Sequence, residues 1–380
     1  MESEDSSLNI NILLVISSLS PGGAEKSGIK LATKLSDYST INVSLAILNP
    51  KLMPVVYSVP SNVSLFDASH IVLSHHKFRN SIPEFLVRKY KRIKWWLIFR
   101  QFVRTRNINL VISFGAETGC KVYIGLLRTR VRQLNCERNE LHPSIHPQTS
   151  LERLLRPYIY KHGVVCSVQT EQMKAEALEL WGVDAFLTPN FYDIPRQISK
   201  PRFREPSNPL KFIFVGNESY QKNIELLIST WKCINAEFHA NLTVYGLWTS
   251  HARSQLNNAN VLFCAPRPDL ELIYSNYDVL ISTSRFEGFP NVISEAILHG
   301  LQVISTPSTD QLSIWSEKFE CYVSNSHSPQ EFEKFALDTV RSIQKSPMRN
   351  SPWQVLHDAF SWETKKDFWF EAIYHSLTKN

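Results

Sequence analysis

Tyr277–Gly300 reads YDVLISTSRFEGFPNVISEAILHG, and its order of apolar run, polar loop and helix decides how the chain is built. Val279–Ser282 is short and apolar, as a buried strand requires, and Gly288 and Pro290 then shape a turn. A helix is predicted from about Asn291. A strand leading through such a loop into a helix is one half of a βαβ unit. The first N–H groups of the helix have no intrahelical partner and sit at the positive end of its dipole, which suits a diphosphate. Glu287 lies before the helix start and Glu295 about one turn inside it. They do not form a close pair on one face. Each is placed to meet one end of a ligand lying across the helix start, where a carboxylate accepts hydrogen bonds from the vicinal diols of a sugar or a ribose.

The same alternation runs outward in both directions. INILLVI (Ile10–Ile16) reads as a buried strand broken at SSLSPGG, and residues 24–35 read as a helix. Strand-like runs recur at residues 43–48, 110–113 and 164–168. A second series falls at residues 212–215, 242–245, 261–263, 279–282 and 303–305. Between the series, FYDIPRQISKPRFREPSNPL (residues 191–210) holds four prolines and no sustained periodicity, as a linker does. At 380 residues, 43% hydrophobic and 20% charged, the chain has the material for two globular cores and is not a disordered polymer. The expected fold is α/β: two Rossmann-like βαβ domains facing across a cleft, with ligands outside the carboxyl ends of the strands.

Glu287 and Glu295 also match the Glu, seven residues, Glu signature of EGFPxVxxEA. In this the chain resembles the glycosyltransferase family 4 group of the GT-B fold, whose members retain configuration at the transferred sugar. The resemblance implies that Glu287 contacts donor-sugar hydroxyls and Glu295 the ribose hydroxyls of a nucleotide. It also implies that the backbone from Gly288 through Phe289, Pro290 and Asn291 to Val292 approaches the sugar and diphosphate. FIFVGNESYQKNIELLISTW (Phe212–Trp231) resembles the family's strand, VGRxxxxKN and helix. Lys222 then takes the place of the lysine on the donor diphosphate, with Gly216 at the strand exit, and stabilises the charge of the leaving group. Asn217 stands where the family usually has arginine, a departure that replaces a cation with a neutral amide. A solvated lysine at a helix start is the plainer reading of Lys222.

Three further segments look like the family's. In SLSPGGAEKSGIKLA, Gly22 and Gly23 would face the donor from across the cleft, unless they only form a turn. VISFGAETG and NCERNELHPS resemble loops on the acceptor side, which implies Arg138 near a phosphate and Glu137 near an acceptor hydroxyl. A structural ion pair between the two is equally compatible with the sequence. The backbone near Arg267, in PRPDLELIYSNYD, sits where relatives bind the base. The domains expected are residues 1–192 for the acceptor, a linker 193–210, residues 211–359 for the nucleotide sugar, and a C-terminal helix 360–380 crossing back. After Thr306 the family's glycine-rich loop is replaced by STPSTDQLSIW.

The implied reaction moves a hexose or N-acetylhexosamine from a UDP-sugar to a lipid-linked (polyprenyl diphosphate) glycan in O-antigen or capsule synthesis. No cofactor and no metal are expected, and no DxD motif is present. The rival readings are a nucleotide-sugar epimerase on the same fold and a non-catalytic UDP-sugar-binding subunit.

Charge is unevenly placed. Residues 1–190 carry 23 Lys+Arg against 15 Asp+Glu, and ten of the basic residues fall between Lys77 and Arg106 with Glu84 as the sole acid. Interleaved with Trp95, Trp96, Phe99 and Phe102, they suggest docking on an anionic membrane surface rather than on nucleic acid. A helix packed through Leu86, Tyr90, Ile93 and Leu97 is the competing reading. The acidic, polar MESEDSSLNI is unlike a signal peptide, and no apolar run has membrane-spanning length. Six scattered cysteines with no CxxC read as buried thiols. The expected location is cytoplasmic, peripheral on the inner face of the membrane.

Overall fold

The computed structural model describes residues 9–49, 57–66, 84–145, 148–194, 203–204, 209–256, 260–345, 348–349 and 351–379. The chain divides into two compact units. The first holds residues 1–143, 147–188 and 367–380, and the second holds residues 144–146 and 189–366.

In the first unit the elements run β1 (Ile10–Ile16), α1 (Gly23–Ser36), β2 (Ile41–Ile47), β3 (Ser64–Phe66), α2 (Glu84–Thr105), β4 (Leu110–Phe114) and α3 (Ala116–Leu126). β5 (Arg132–Cys136), α4 (Ser150–Lys161), β6 (Val165–Val168), α5 (Glu171–Trp181) and β7 (Phe186–Leu187) follow. The seven strands are parallel in the order β3-β2-β1-β4-β5-β6-β7. β1 is buried from Ile12 to Ile16. A strand covered on both faces is apolar throughout, which is why its sequence betrays it.

β5 carries no such signal, because RQLNC alternates polar and apolar residues although Gln133 and Asn135 are buried. Its polar side chains are absorbed by partners. Gln133 donates to Ser113 Oγ and the Gly119 carbonyl, and Asn135 donates to Tyr160 Oη at 2.6 Å. α4 is started by a capping box in which Thr149 and Glu152 bond each other's backbone N–H. Gly182, at φ 66, closes α5 in the left-handed conformation open to glycine.

The second unit opens with β8 (Phe203–Arg204), β9 (Leu210–Val215), α6 (Ile224–Glu237), β10 (Ala240–Tyr245), α7 (Ser250–Ser254), β11 (Val261–Cys264) and β12 (Val279–Ser282). Next come α8 (Asn291–Leu298), β13 (Gln302–Ser305), α9 (Gln311–Lys318), β14 (Cys321–Val323), α10 (Pro329–Lys345), β15 (Met348–Arg349) and α11 (Trp353–Phe360). Six parallel strands take the order β11-β10-β9-β12-β13-β14, while β8 and β15 form a separate antiparallel pair. Trp231 packs edge-on to Phe212 in an apolar cluster of this unit. α12 (Trp362–Thr378) begins in the second unit and continues into the first. There Trp369 is buried and stacks on Phe114, and Phe370 meets Tyr38 edge-on.

The unit boundary lies at Thr188–Pro189, ahead of the expected linker. Residues 195–202 and 205–208 of that linker are outside the described residues. The basic stretch is partly outside them too: residues 77–83 are not described, and side chains of α2 are described from Lys94 on. Of the expected stripe, only the Leu97 side chain is described, and it is 59% exposed. The face turned to the core carries Phe99 and Val103 instead, with Trp95 stacked on Phe99. Among the described residues no helix is long and apolar enough to cross a membrane.

Glu137 and Arg156 are each 2% exposed and joined at 3.1 Å through both guanidinium contacts. Tyr160 Oη donates to the same carboxylate, and the guanidinium lies over Trp181. Removing one member strands a buried charge. Glu137→Ala is expected to destabilise the first unit by about 3–5 kcal/mol, read as a lower midpoint in thermal unfolding followed by circular dichroism.

Candidate functional site

In the second unit the strand order reverses between β9 and β12, so the chain leaves these neighbours toward opposite sides of the sheet. Such a switch point opens a crevice at the carboxyl ends of the strands. The two loops that begin there are the two segments singled out in sequence.

The loop after β9 is shaped by close backbone approach. Gly216 N–H donates to the Tyr245 carbonyl, and its own carbonyl accepts from the Trp248 indole at 2.9 Å. A Cβ on Gly246 would collide with the Gly216 carbonyl oxygen, so glycine is required there. A Cβ on Gly216 would come within 3.1 Å of the Lys222 stem. Asn223 at φ 49 then turns the chain into α6, in a conformation asparagine tolerates better than most residues.

The loop after β12 meets it. Lys222 Nζ is 2.6 Å from Glu287 Oε1, with the side chains 23% and 12% exposed. Gln221 donates its amide to the other Glu287 oxygen at 2.9 Å and to the Phe286 carbonyl at 3.1 Å. Thr283 Oγ1 donates to the Lys222 carbonyl, and Arg285 N–H to the Gln221 carbonyl. Glu287 N–H donates to the Ser308 carbonyl, and Thr306 Oγ1 ties this third loop to the Ser284 carbonyl. A largely desolvated cation is thus held by a carboxylate at the strand ends. A diphosphate is the kind of anion that exchanges for such a partner.

α8 starts at Asn291, after Phe289 and Pro290, with no side chain capping its first N–H groups. Gly288 and Val292 flank this start. Glu295, one turn in, is 3% exposed and accepts from Tyr274 Oη at 3.2 Å. Burial, and then the Glu295 charge, push the Tyr274 and Tyr192 hydroxyls well above the usual tyrosine range, so both remain hydrogen-bond donors.

The side chains of two expected residues have partners of their own, while the expectation for Arg267 concerned its backbone. Asn217 Oδ1 accepts from Leu247 N–H, which makes it a brace between loops. Arg267 forms two 2.6 Å contacts with Asp269, and those hydrogen bonds hold the Asp269 carboxyl below its usual range.

The first unit separates its expected residues. Gly22 precedes α1 in extended conformation and Gly23 opens the helix; a Cβ on Gly22 would collide with the Glu25 carboxylate, which Ser17 Oγ contacts. Among the described residues Glu137 pairs with Arg156 and not with Arg138. Arg138 donates to the Thr188 carbonyl and hydroxyl, and its guanidinium lies over the rings of Phe114 and Trp369. Burial lowers its pKa. It fastens Thr188, where the chain leaves the unit, to the helix that re-enters it.

Gln221, Tyr274, Tyr192 and Ser308 belong to the site and are invisible to sequence reasoning. Ser308 is buried, and its hydroxyl has no partner among the described residues. None of the four has a charge or a spacing that marks it. Among the described residues no three His, Cys, Asp or Glu side chains gather as metal ligands would.

Residues 209–340 match the family described as Glycosyl transferases group 1, a span that contains Lys222, Glu287 and Glu295. No curated protein matches the chain. Among solved structures, sucrose-phosphate synthase from Thermosynechococcus elongatus aligns with a TM-score of 0.72 at 13% identity, covering 97% of this chain and 99% of that one. A mutant of S. aureus TarM, in complex with fondaparinux, α-GlcNAc-glycerol and UDP, aligns at 0.72 and 10% identity, covering 96% and 99%. Anabaena Alr3699/HepE, in complex with UDP and glucose, aligns at 0.69 and 14%, also covering 96% and 99%. The chain therefore has the GT-B fold, with a glycosyltransferase group 1 domain in its second unit.

Gly246→Ala forces the Gly216 strand exit to shift. We expect a loss of about 1–3 kcal/mol in stability together with weakened nucleotide binding, checked by thermal unfolding and calorimetric titration with UDP. A variant with unchanged melting and binding would contradict the packing described.

Proposed function

We propose that the chain is a retaining, metal-independent glycosyltransferase that moves a hexose or N-acetylhexosamine from a UDP-sugar to a lipid-linked glycan acceptor in bacterial surface polysaccharide synthesis. The observation that carries this reading is the Lys222–Glu287 pair, held by Gln221 beside the α8 start. The choice of UDP follows the ligands of TarM and HepE.

In this reading the donor diphosphate takes Lys222 from Glu287. Lys222 and the uncapped N–H groups of α8 neutralise the charge that grows on the leaving group. Glu287, released, accepts hydrogen bonds from the donor sugar, and Glu295 accepts from the ribose. The acceptor hydroxyl approaches the anomeric carbon from the leaving-group side. The bond from that carbon to the diphosphate oxygen breaks as the bond to the acceptor oxygen forms, and the departing phosphate takes the hydroxyl proton. Configuration is retained without a protein nucleophile. Acceptor binding is assigned to the first unit, with Arg138 as its candidate contact and Glu137 as the buried support of that loop, while Gly22 and Gly23 are assigned to the donor side. Peripheral attachment to the cytoplasmic face of the membrane through residues 77–106 suits a lipid-linked acceptor.

One observation favours a second reading. Asn217, in the usual place of a cationic side chain, commits its carbonyl to Leu247. A UDP-sugar-binding subunit without transfer activity would tolerate that loss. An epimerase would instead convert the donor with no acceptor present.

The test is a thermal-shift panel of nucleotide sugars on wild type and Glu295→Ala. Ligand at a hundredfold its Kd stabilises by about 2.7 kcal/mol, so the true donor raises the melting temperature of the wild type and not of the variant. Product formation from that donor with a polyprenyl diphosphate-linked acceptor then separates transferase from binding subunit. No shift with any nucleotide sugar would sink the reading.

A further inference from the structure

The first residue of α8 is gripped by side chains that follow the end of the first unit in sequence. Asn291 Oδ1 accepts from Asn190 Nδ2 at 2.7 Å and from Tyr192 Oη at 2.6 Å. Tyr192 is itself fixed. It is 4% exposed, its ring packs edge-on to Phe360, its N–H donates to the Phe360 carbonyl, and it bridges Ser361. Its hydroxyl stays protonated, because burial and then the Glu295 charge push its pKa well up.

An amide whose oxygen accepts two hydrogen bonds has its orientation settled. The Asn291 NH2 then points away from Asn190 and Tyr192. It carries only donors, and it stands at a helix start whose backbone also offers only donors. The ligand that matches this set offers only acceptors, as a diphosphate does.

We infer that the Asn291 side-chain amide donates to a phosphoryl oxygen of the bound nucleotide, and that Tyr192 and Asn190 are positioning residues that hold it in that orientation. The inference rests on the donor site proposed above and gives side-chain roles there to Asn291, Tyr192 and Asn190. Asn291 was expected to act through its backbone; here its side chain binds, and Tyr192 acts only through it. The grip has a second consequence. The hydroxyl that orients the phosphate contact belongs to a segment anchored on Phe360 and Ser361, so the start of the donor helix is tied through Tyr192 to the end of α11.

A double-mutant cycle read by calorimetric titration of UDP tests this. Tyr192→Phe keeps the buried ring and removes the hydroxyl. Its UDP affinity is expected to fall about tenfold in the wild-type background, the size of one lost hydrogen bond to a charged group, and by less than about twofold in an Asn291→Ala background. Asn291→Asp keeps both bonds to its oxygen but turns a carboxylate oxygen toward the phosphate, so it is expected to bind UDP more weakly than Asn291→Ala. Equal losses from Tyr192→Phe in both backgrounds would overturn the positioning role. UDP binding by Asn291→Asp as tight as wild type would overturn the phosphate contact. Wild-type protein that binds neither UDP nor any nucleotide sugar would instead overturn the donor reading beneath both. Melting temperatures of all variants separate a fold defect from a binding defect, and Asn190→Ala, expected to weaken UDP in the same direction, repeats the test without touching the tyrosine.

Discussion

The contact between Lys222 and Glu287 is the one on which the second unit's site depends. Its two members arise from β9 and β12, which are neighbours only because the strand order reverses between them. Everything nearby serves to bring these charges to one place. Gly216 and Gly246 let two strand exits approach, Gln221 fixes the carboxylate, and the Ser308 carbonyl holds the Glu287 backbone. A lysine and a glutamate at 2.6 Å neutralise each other, so neither charge is left uncompensated before a ligand arrives. Under the proposed function, an incoming diphosphate finds a cation that is already placed, and its arrival frees a carboxylate for the sugar. That proposal couples recognition of the phosphate to recognition of the sugar through one exchange of partners.

The first unit uses buried charge for a different end. Glu137 and Arg138 are adjacent in sequence, yet their side chains part: one enters the Arg156–Tyr160 network, the other lies over Phe114 and Trp369 and holds Thr188. Both arginines stack on aromatic faces, where a guanidinium keeps attraction while losing water. Arg138 thereby joins the point where the chain leaves this unit to the helix by which it returns.

Much of the fold is legible in sequence because parallel strands covered on both faces are apolar along nearly their whole length, as in INILLVI and KFIFV. β5 escapes notice because its buried side chains are polar and find partners only in the folded state. α2 misleads for a related reason: Leu97 lies on the exposed side while aromatic Phe99 fills the core. In the candidate site, Glu287, Glu295 and Lys222 are marked in sequence by short motifs that carry the family resemblance. Gln221, Tyr192 and Tyr274 cannot, since each reaches its partner across 66, 99 and 21 residues of chain. The role of Asn217 is open in sequence, and its bond to Leu247 commits it to loop structure.

The central claim is that Lys222 belongs to a diphosphate site and is held by Glu287 until the ligand takes it. Calorimetric titration of UDP into wild type and Lys222→Met measures it most directly. The account predicts that wild type binds UDP and that the variant binds at least about tenfold more weakly, since a charge-assisted contact of this kind contributes on the order of 1.5–3 kcal/mol. Equal UDP affinity in the two proteins would contradict it.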